Sequence, residues 1–424
     1  MENVEKAAIF TEKRKWLGIL GFALLIALVY YLSNPNPQFH FDYTYRFAVN
    51  FFHGKIGYLD YRLPWLNELI PAGTTGRYYT AFPYGAIVSM IPFAALEYFG
   101  LIKAMPAAFI AATLAGISAV FLLLIAGKYD ISEFRKFLLA SAVLLGSFMW
   151  TNLVMAGAWH LALGFAMVGE LGAIYFSVYN RKPLIAGAFF ALAFGNRTEI
   201  LLLAPVLMFL LTGNSRDSNT GMTESEGVSF GSRIAKVLSW ETAWFCVVPF
   251  LLGVSTLFYN YIRFKSISDF GYLHIPGVLA EPWYRYGIFS LSYIPSNIYE
   301  MLLRPWVIRS VAPFVLPNPF GASILISSVW LLLLFRKRKT DFLLTSACWV
   351  SIAVLTFILW IHGNAGGYQF SYRYATILLP WIFVILLEKS GERISRFEWI
   401  SIAVSIIING YATWLFFFTD YMKA

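Results

Sequence analysis

The sequence predicts an all-α polytopic membrane protein, and two observations carry that prediction. Hydrophobic residues make up 59% of the 424 residues and charged residues only 13%, whereas a soluble protein carries about 25% charged residues. Long apolar runs also recur along the chain, most of them near the length of about 20 residues that crosses a bilayer as a helix. We therefore expect transmembrane helices with the polar residues gathered in the loops.

The apolar runs predict about eleven transmembrane helices. Nine runs have a suitable length: 16–32, 104–126, 137–156, 160–179, 241–262, 320–335, 341–361, 375–388 and 397–418. A further apolar stretch, Pro183 to Thr212, is interrupted by the polar segment Gly195-Asn196-Arg197-Thr198-Glu199. This interruption predicts two short helices that meet at a polar apex. The first run follows a basic stretch and has no small-residue cleavage site after it, which favours a retained signal anchor.

The distribution of positive charge predicts the orientation of these helices, because Lys and Arg collect on the cytoplasmic side. If residues 84–100 lie along the outer interface, every strongly basic short loop falls inside. Those loops are the N-terminus, 127–136, Arg181-Lys182, 213–240, 336–339 and 389–396, and they hold 19 of the 32 Lys and Arg residues. The remaining segments 33–103, 263–319 and 362–374 then face outward, with outer interfacial helices. Residues 213–239 become a cytoplasmic loop of a single multi-pass domain, 1–424, in the cell membrane.

Composition argues against several other classes of protein. The net charge of +9 comes from scattered basic residues, which does not favour nucleic-acid binding. The two cysteines, Cys246 and Cys348, lie inside apolar runs and predict buried free thiols. The five histidines do not cluster, so we expect them to be satisfied interfacial residues, and no cofactor is predicted. His40 and His53 flank Asp42 and leave a divalent metal open, but no ligand spacing supports one.

Charged residues beside aromatic residues concentrate in the predicted outer segments. Asp42 follows the first span, with Ala48 and Gly54 some residues later, and further blocks run over Gly76–Gly85, Tyr259–Tyr272 and Gly366–Tyr374. In this order, over most of the chain, the blocks resemble the C-type fold of membrane glycosyltransferases. More narrowly, they are similar to bacterial relatives of the dolichyl-phosphate-mannose protein mannosyltransferases and the lipid A aminoarabinose transferases. Many relatives have an Asp-Glu pair at the first acidic site, whereas here Asp42 is followed by Tyr43.

The resemblance implies an enzyme that transfers one sugar, a hexose or pentose, from a polyprenyl-phosphate-linked donor to a hydroxyl, with inversion. The acceptor is a lipid, glycan or protein, and the active site faces outward among membrane lipids. It also implies that Asp42 is the catalytic base, while Asp60 and Glu68 stay open as alternatives. The chemistry is consistent with this assignment, because a phosphate leaving group needs cations more than it needs a general acid.

Three basic residues in the outer blocks, Arg263, Lys265 and Arg373, are predicted to bind the donor phosphate. A guanidinium presents a planar fork that suits phosphate oxygens, although such residues also meet lipid headgroups or snorkel. Arg197 lies within an apolar stretch, where an ion pair with Glu199 and a substrate contact both stay open. Further substrate contacts are expected, through the resemblance, from residues of the last two blocks: Tyr272 and Gln369.

A transporter or flippase for a lipid-linked saccharide is the alternative, since it would also need Arg at membrane depth and an aromatic cavity. Such a protein is expected to distribute charged groups over several mid-span helices. Most spans of this chain are free of charge, and the charged residues gather at one side. The pattern therefore favours chemistry at the outer surface over alternating access.

Overall fold

The computed structural model of the protein describes residues 2–36, 41–213, 237, 239–338, 340–391 and 393–422, and it is mostly helical. The α-helices are α1 (Glu2–Leu32), α2 (Tyr43–Phe52), α3 (Tyr84–Tyr98), α4 (Ala107–Ala126), α5 (Glu133–Leu144), α6 (Met149–Val154), α7 (Ala158–Ile174), α8 (Pro183–Asn196), α9 (Ala204–Leu211), α10 (Trp240–Phe264), α11 (Ile294–Ile298), α12 (Ile324–Ser327), α13 (Phe342–Ile361), α14 (Leu379–Glu388) and α15 (Arg396–Phe418). Longer 3₁₀ or π segments extend or join them at Tyr175–Tyr179, Thr198–Leu203, Tyr299–Leu303, Val329–Phe335 and Arg373–Leu378.

Sheet structure in the described part of the chain is confined to two antiparallel hairpins of two-residue strands. In the first, β1 (Ile70–Pro71) pairs with β2 (Tyr78–Tyr79), and in the second, β3 (Val307–Ile308) pairs with β4 (Val315–Leu316). Both hairpins lie in the segments predicted to face outward. The fold is therefore a helical bundle with irregular structure at one end.

Six helical segments among the described residues are long and apolar enough to cross a membrane: Lys13–Leu32, Ala107–Ala126, Ala158–Tyr179, Trp240–Phe264, Phe342–Ile361 and Arg396–Phe418. Each coincides with a predicted span. Large apolar side chains of α10, such as Phe250 and Phe258, are exposed over half or more of their surface, as expected for a surface that meets lipid. Together these features indicate a membrane protein.

The other predicted spans map to shorter elements. The run 137–156 is divided between α5 and α6, the run 320–335 forms α12 and a 3₁₀ segment, and the run 375–388 begins as a 3₁₀ segment before α14. A Cβ on Gly146, at the first of these breaks, would lie 2.9 Å from the carbonyl oxygen of Ala142. Hydropathy detects an apolar run but not a break inside it, because a buried break requires no polar residue.

The stretch from Pro183 to Thr212 forms two short helices with a polar junction, as predicted. Helix α8 ends at Asn196, Arg197 adopts an extended conformation, and a 3₁₀ segment leads into α9. Helix α9 then packs against Tyr175–Tyr179, beside the start of α8. The chain therefore returns toward the end of the bundle from which α8 started, and it places Arg197 at the opposite end.

The segment 84–100, predicted to lie at the outer interface, forms α3. Its fifteen residues span about 22 Å, less than the roughly 30 Å of a hydrocarbon core. Helix α3 packs on α2 and α8, and a Cβ on Gly85 would lie only 2.4 Å from the Cα of Gly195. This backbone contact fixes the start of α3 beside the Arg197 junction.

Helix α7 is the centre of the bundle, since it packs on α4, α8 and the 3₁₀ segment that starts at Arg373. Small residues allow the close approach: a Cβ on Gly169 would lie 2.5 Å from the amide nitrogen of Ala193 in α8. Because α7 is rigidly held, the first residues of this helix are well placed to carry a site.

Three of the loops predicted to be cytoplasmic meet at the other end of the bundle. Arg135 donates to both carboxylate oxygens of Glu398, at 2.9 and 2.6 Å, and Arg336 donates to the same carboxylate at 2.6 Å. Arg135 and Glu398 are completely buried. A buried charge of this kind is tolerated because its neighbours compensate it. The predicted loop 213–239 lies almost entirely outside the described residues.

Candidate functional site

The loop Gly366–Tyr372 precedes Arg373 and adopts a strained conformation. Tyr368 and Ser371 have positive φ angles of 47° and 59°, which a residue with a side chain rarely adopts. Two contacts hold the loop in place: Asn152 Nδ2 donates to the carbonyl of Phe370 at 2.7 Å, and the Phe370 amide donates to Asn152 Oδ1 at 3.0 Å. Strain that the surroundings enforce in this way clusters at functional sites.

Arg373 is the residue that this loop positions. It is 7% exposed, and its guanidinium donates to the carbonyl of Gly367 at 2.9 Å and to the Tyr374 hydroxyl at 3.1 Å, while its Nε has no partner. Among the described residues, no carboxylate forms an ion pair with it. A buried charge without a counter-ion is costly, so the position suits a site that receives an anion.

The ring of Tyr374 lies beside a second guanidinium. The Cζ of Arg373 is 5.0 Å from the Tyr374 ring centroid and the Cζ of Arg197 is 4.7 Å from it. Arg197 also forms the ion pair considered from the sequence, with its terminal nitrogen 2.6 Å from Glu199 Oε1. Arg197 is therefore charge-compensated and Arg373 is not.

Glu68 is a second carboxylate in this region, after Glu199. The hydroxyl of Tyr43 donates to it at 3.3 Å, and the indole of Trp159 lies close to it. Burial raises the pKa of Glu68, and Trp159, Tyr43 and the charge of Arg373 oppose that shift. A carboxyl group with a raised pKa beside a cationic pocket is a candidate for proton transfer.

His160, the third residue of α7, lies next to the same loop. It is 5% exposed, and neither of its ring nitrogens makes a hydrogen bond of good geometry. The backbone of Tyr368 is a weak hydrogen-bond partner of the ring, and the charge of Arg373 also acts on it. The expectation of a satisfied histidine is therefore met only in part at this position.

Tyrosines complete the wall of the site. The hydroxyls of Tyr272 and Tyr284 share a hydrogen bond, and the Tyr284 ring lies 6.0 Å from the ring of His362. Burial raises the pKa of Tyr272 to about 12, so its hydroxyl stays protonated. Burial lowers the pKa of His362, and the positive charge of Arg197 acts in the same direction. We call the assembled group the Arg373 cluster: Glu68, His160, Arg197, Glu199, Tyr272, Tyr284, His362, Arg373 and Tyr374.

The predicted base, Asp42, lies at the start of α2 and is mostly buried. Its Oδ1 accepts a hydrogen bond from Arg46 Nε at 2.7 Å. The next residue, Tyr43, connects it to the cluster through Glu68. The other alternative, Asp60, is half-exposed and forms an ion pair with Lys55. These surroundings are typical of a surface carboxylate.

The other predicted phosphate ligands, Arg263 and Lys265, have different partners from those of Arg373. Arg263 is buried against the Tyr259 ring, and its guanidinium donates to the carbonyls of Tyr259 and Thr80 and, at 2.7 Å, to Asn260 Oδ1. Its donors thus hold the bend before α3 to α10.

The last two predicted site residues are Lys265 and Gln369. Lys265 is exposed at the C-terminus of α10, near the Tyr261 ring. Gln369 is buried, its amide nitrogen donates to the carbonyls of Phe320 and Ala365, and its oxygen accepts from the backbone amide of Arg373. Gln369 therefore shapes the loop that carries Arg373.

A metal site does not assemble within the described part of the chain, where no three His, Cys, Asp or Glu side chains come together to hold an ion. Of the histidines near Asp42, His53 is exposed at the end of α2, and His40 lies outside the described residues. Cys246 and Cys348 are free thiols.

Comparisons with protein-family models, with curated proteins and with solved structures find no match to this chain.

Sequence reasoning assigned no site role to His160, Tyr284, His362 and Tyr374 of the Arg373 cluster, or to Asn152, which holds the loop before Arg373. His160 begins an apolar run. The sequence marks it only by its place beside Trp159, shortly after Gly157. Tyr374 ends the block Gly366–Tyr374, but its role and that of Asn152 depend on contacts between segments distant in the sequence.

Proposed function

We propose that the protein is a membrane glycosyltransferase that moves one sugar from a polyprenyl-phosphate-linked donor to an acceptor hydroxyl. The observation that carries the proposal is Arg373, a buried guanidinium with an unpartnered Nε and no carboxylate counter-ion among the described residues. Phosphate is one of the two anions, with carboxylate, whose oxygens fit such a fork. Aromatic side chains beside it, Tyr374 and Tyr284, suit the faces of a sugar ring.

In this proposal the acceptor oxygen attacks the anomeric carbon while a carboxylate takes the hydroxyl proton. The bond between the anomeric carbon and the phosphate oxygen breaks, and its electron pair leaves with the lipid phosphate. A single displacement from the opposite face inverts the anomeric centre. Arg373 stabilises the charge that grows on the departing phosphate.

Asp42 is the proposed base, on the strength of the sequence resemblance. Its ion pair with Arg46 fixes the orientation of the carboxylate at the start of α2. Glu68 is the second candidate, because the charge of Arg373 acts on it and burial raises its pKa.

We place the site on the outer face of the cell membrane, in a bundle of about eleven crossings. The clustering of Arg135, Arg336 and Glu398 at the end opposite Arg197 supports this orientation, since those loops are the basic ones. The broken elements α5–α6, α8–α9, α12 and α14 would supply the crossings beyond the six long helices.

The proposal is tested with purified protein, radiolabelled polyprenyl-phosphate sugars and fractions of cell envelope as acceptors. We expect label to pass to an acceptor, and Arg373→Gln to reduce transfer about 100-fold or more, as expected for the loss of a charge that stabilises the transition state. The matched control is Arg285→Gln, which removes an exposed guanidinium outside the cluster and should leave transfer intact. No transfer from any such donor would overturn the proposal.

A transporter of lipid-linked saccharide is the second candidate, and one observation favours it. Glu170 is buried in the interior of α7, where its Oε1 accepts from the Trp381 indole at 2.8 Å and its Oε2 has no partner. Ionisable groups at such depth often mark transport pathways. Movement of labelled lipid across proteoliposomes without any covalent transfer would establish this candidate instead.

A further inference from the structure

His160 is the buried polar group at the Arg373 cluster that the proposed reaction leaves without a role. A neutral imidazole carries one donor and one acceptor nitrogen, and at 5% exposure neither nitrogen of His160 has a hydrogen bond of good geometry. The backbone of Tyr368 is only a weak partner of the ring. Buried polar atoms are rarely left without a partner in proteins. The side chain is therefore placed for a group that the protein alone does not supply.

The position of His160 in α7 favours a negatively charged group. Helix α7 has seventeen residues and begins after Gly157, whose backbone is extended. The first amide groups of a helix give its N-terminus a partial positive charge, which attracts anions. His160 occupies the first turn of this helix, and Glu68 reaches the same turn through Trp159.

Arg373 supplies a second and independent feature at this place. Its unpartnered Nε is also buried, and its terminal nitrogen donates to the carbonyl of Gly367 at 2.9 Å. The next residue, Tyr368, lies beside His160. The 3₁₀ segment that begins at Arg373 packs against α7, so one strained loop brings Arg373 and His160 together.

We propose that His160 is a phosphate-binding residue, whose ring N–H donates to a phosphate oxygen beside Arg373 at the N-terminus of α7. The identity of the ligand, the phosphate of a polyprenyl-phosphate donor, rests on the proposed function. An imidazole suits this position because it donates a hydrogen bond while neutral. A second permanent cation would repel Arg373 whenever the site is empty.

The test measures binding of polyprenyl phosphate without a sugar to the full chain in phosphatidylcholine nanodiscs. We expect His160→Leu to weaken binding about tenfold, which is about 1.4 kcal/mol, and His160→Gln to recover part of the loss through its amide donor. His53→Leu removes an exposed histidine at the end of α2 and should bind as the wild type does. Wild-type binding by His160→Leu would overturn the inference.

A second measurement keeps the test valid if His160→Leu folds poorly. In protein labelled with ¹⁵N-histidine, the imidazole signals missing from His160→Gln belong to His160, and polyprenyl phosphate should shift them. A shift by inorganic phosphate as well would show that the phosphate itself is recognised. Unchanged signals would overturn the inference, and so would an equal shift by phosphatidylglycerol, which would indicate a headgroup site.

The two proposals fail in different ways. If His160-dependent binding occurs but no polyprenyl-phosphate sugar supports transfer, the glycosyltransferase proposal fails while the phosphate site stands. If transfer occurs and His160→Leu binds polyprenyl phosphate as tightly as the wild type, the enzyme stands and the role of His160 is refuted.

Discussion

The substitution Asp42→Asn separates a catalytic carboxylate from a structural one. It keeps the size of the side chain and much of its hydrogen bonding, but an amide cannot take a proton from an acceptor hydroxyl. Loss of a general base typically costs about 10²–10⁴-fold in rate, or about 3–5 kcal/mol of barrier. We therefore expect transfer to fall by at least 100-fold while donor binding stays close to that of the wild type.

The same substitution also has a structural cost. The ion pair joins Asp42, just before α2, to Arg46 one turn later, and the two side chains are 9% and 38% exposed. Exposed pairs at this spacing contribute about 0.3–0.5 kcal/mol, and burial of one partner increases the cost of breaking the pair. Stability and turnover must therefore be measured on the same variants.

Arg46→Gln is the matched control, because it breaks the same ion pair and keeps the carboxylate. Turnover with a radiolabelled polyprenyl-phosphate sugar and the melting temperature in detergent are measured for both variants. We expect similar melting temperatures and turnover of Arg46→Gln within about tenfold of wild type. Equal loss of turnover in both variants would refute the base assignment. If Asp42→Asn keeps more than a tenth of the activity, the base lies elsewhere and Glu68→Gln is the next variant.

The remaining predictions concern the fold and its orientation. Gly85→Ala should destabilise the protein by about 1–3 kcal/mol, because the new Cβ would meet the backbone of α8. Gly253→Ala is the control, since a Cβ there meets open space, and it should be neutral or slightly stabilising. Thermal unfolding in detergent compares the two variants. Glu398→Gln should cost about 3–5 kcal/mol by leaving two arginines without a buried counter-ion, and unchanged unfolding would contradict that role. In a background without the native cysteines, an impermeant thiol reagent on intact cells should label Ser296→Cys and spare Thr340→Cys; the reverse pattern would invert the topology.

The sequence predicts the long helices well because their signal is local. Runs such as 104–126 and 341–361 differ from α4 and α13 by at most three residues at each end, since apolar length and capping residues such as Asp341 lie in the sequence itself. The breaks at 145–148 and before α14 carry no comparable local signal. They depend on which backbone groups find partners in neighbouring helices.

The residues of the site also divide into those with a local sequence signal and those without one. The sequence leaves an ion pair with Glu199 and a substrate contact both open for Arg197, because two ionisable residues lie together in an apolar stretch, and the structure forms the ion pair. Arg263 has the same sequence appearance as Arg373, yet its donors go to Thr80 and Asn260. Only the three-dimensional neighbours distinguish Arg263, whose three guanidinium nitrogens all have partners, from Arg373, whose Nε has none.

The position of a bound phosphate in a cryo-EM map shows whether the Arg373 cluster binds the phosphate of a polyprenyl-linked donor. In a complex with polyprenyl phosphate, we expect the phosphate within hydrogen-bond distance of Arg373 Nε, at the first turn of α7. Density for the phosphate at Arg263, or at the opposite end of the bundle beside Arg336, with Arg373 unchanged, would show that the cluster does not bind it.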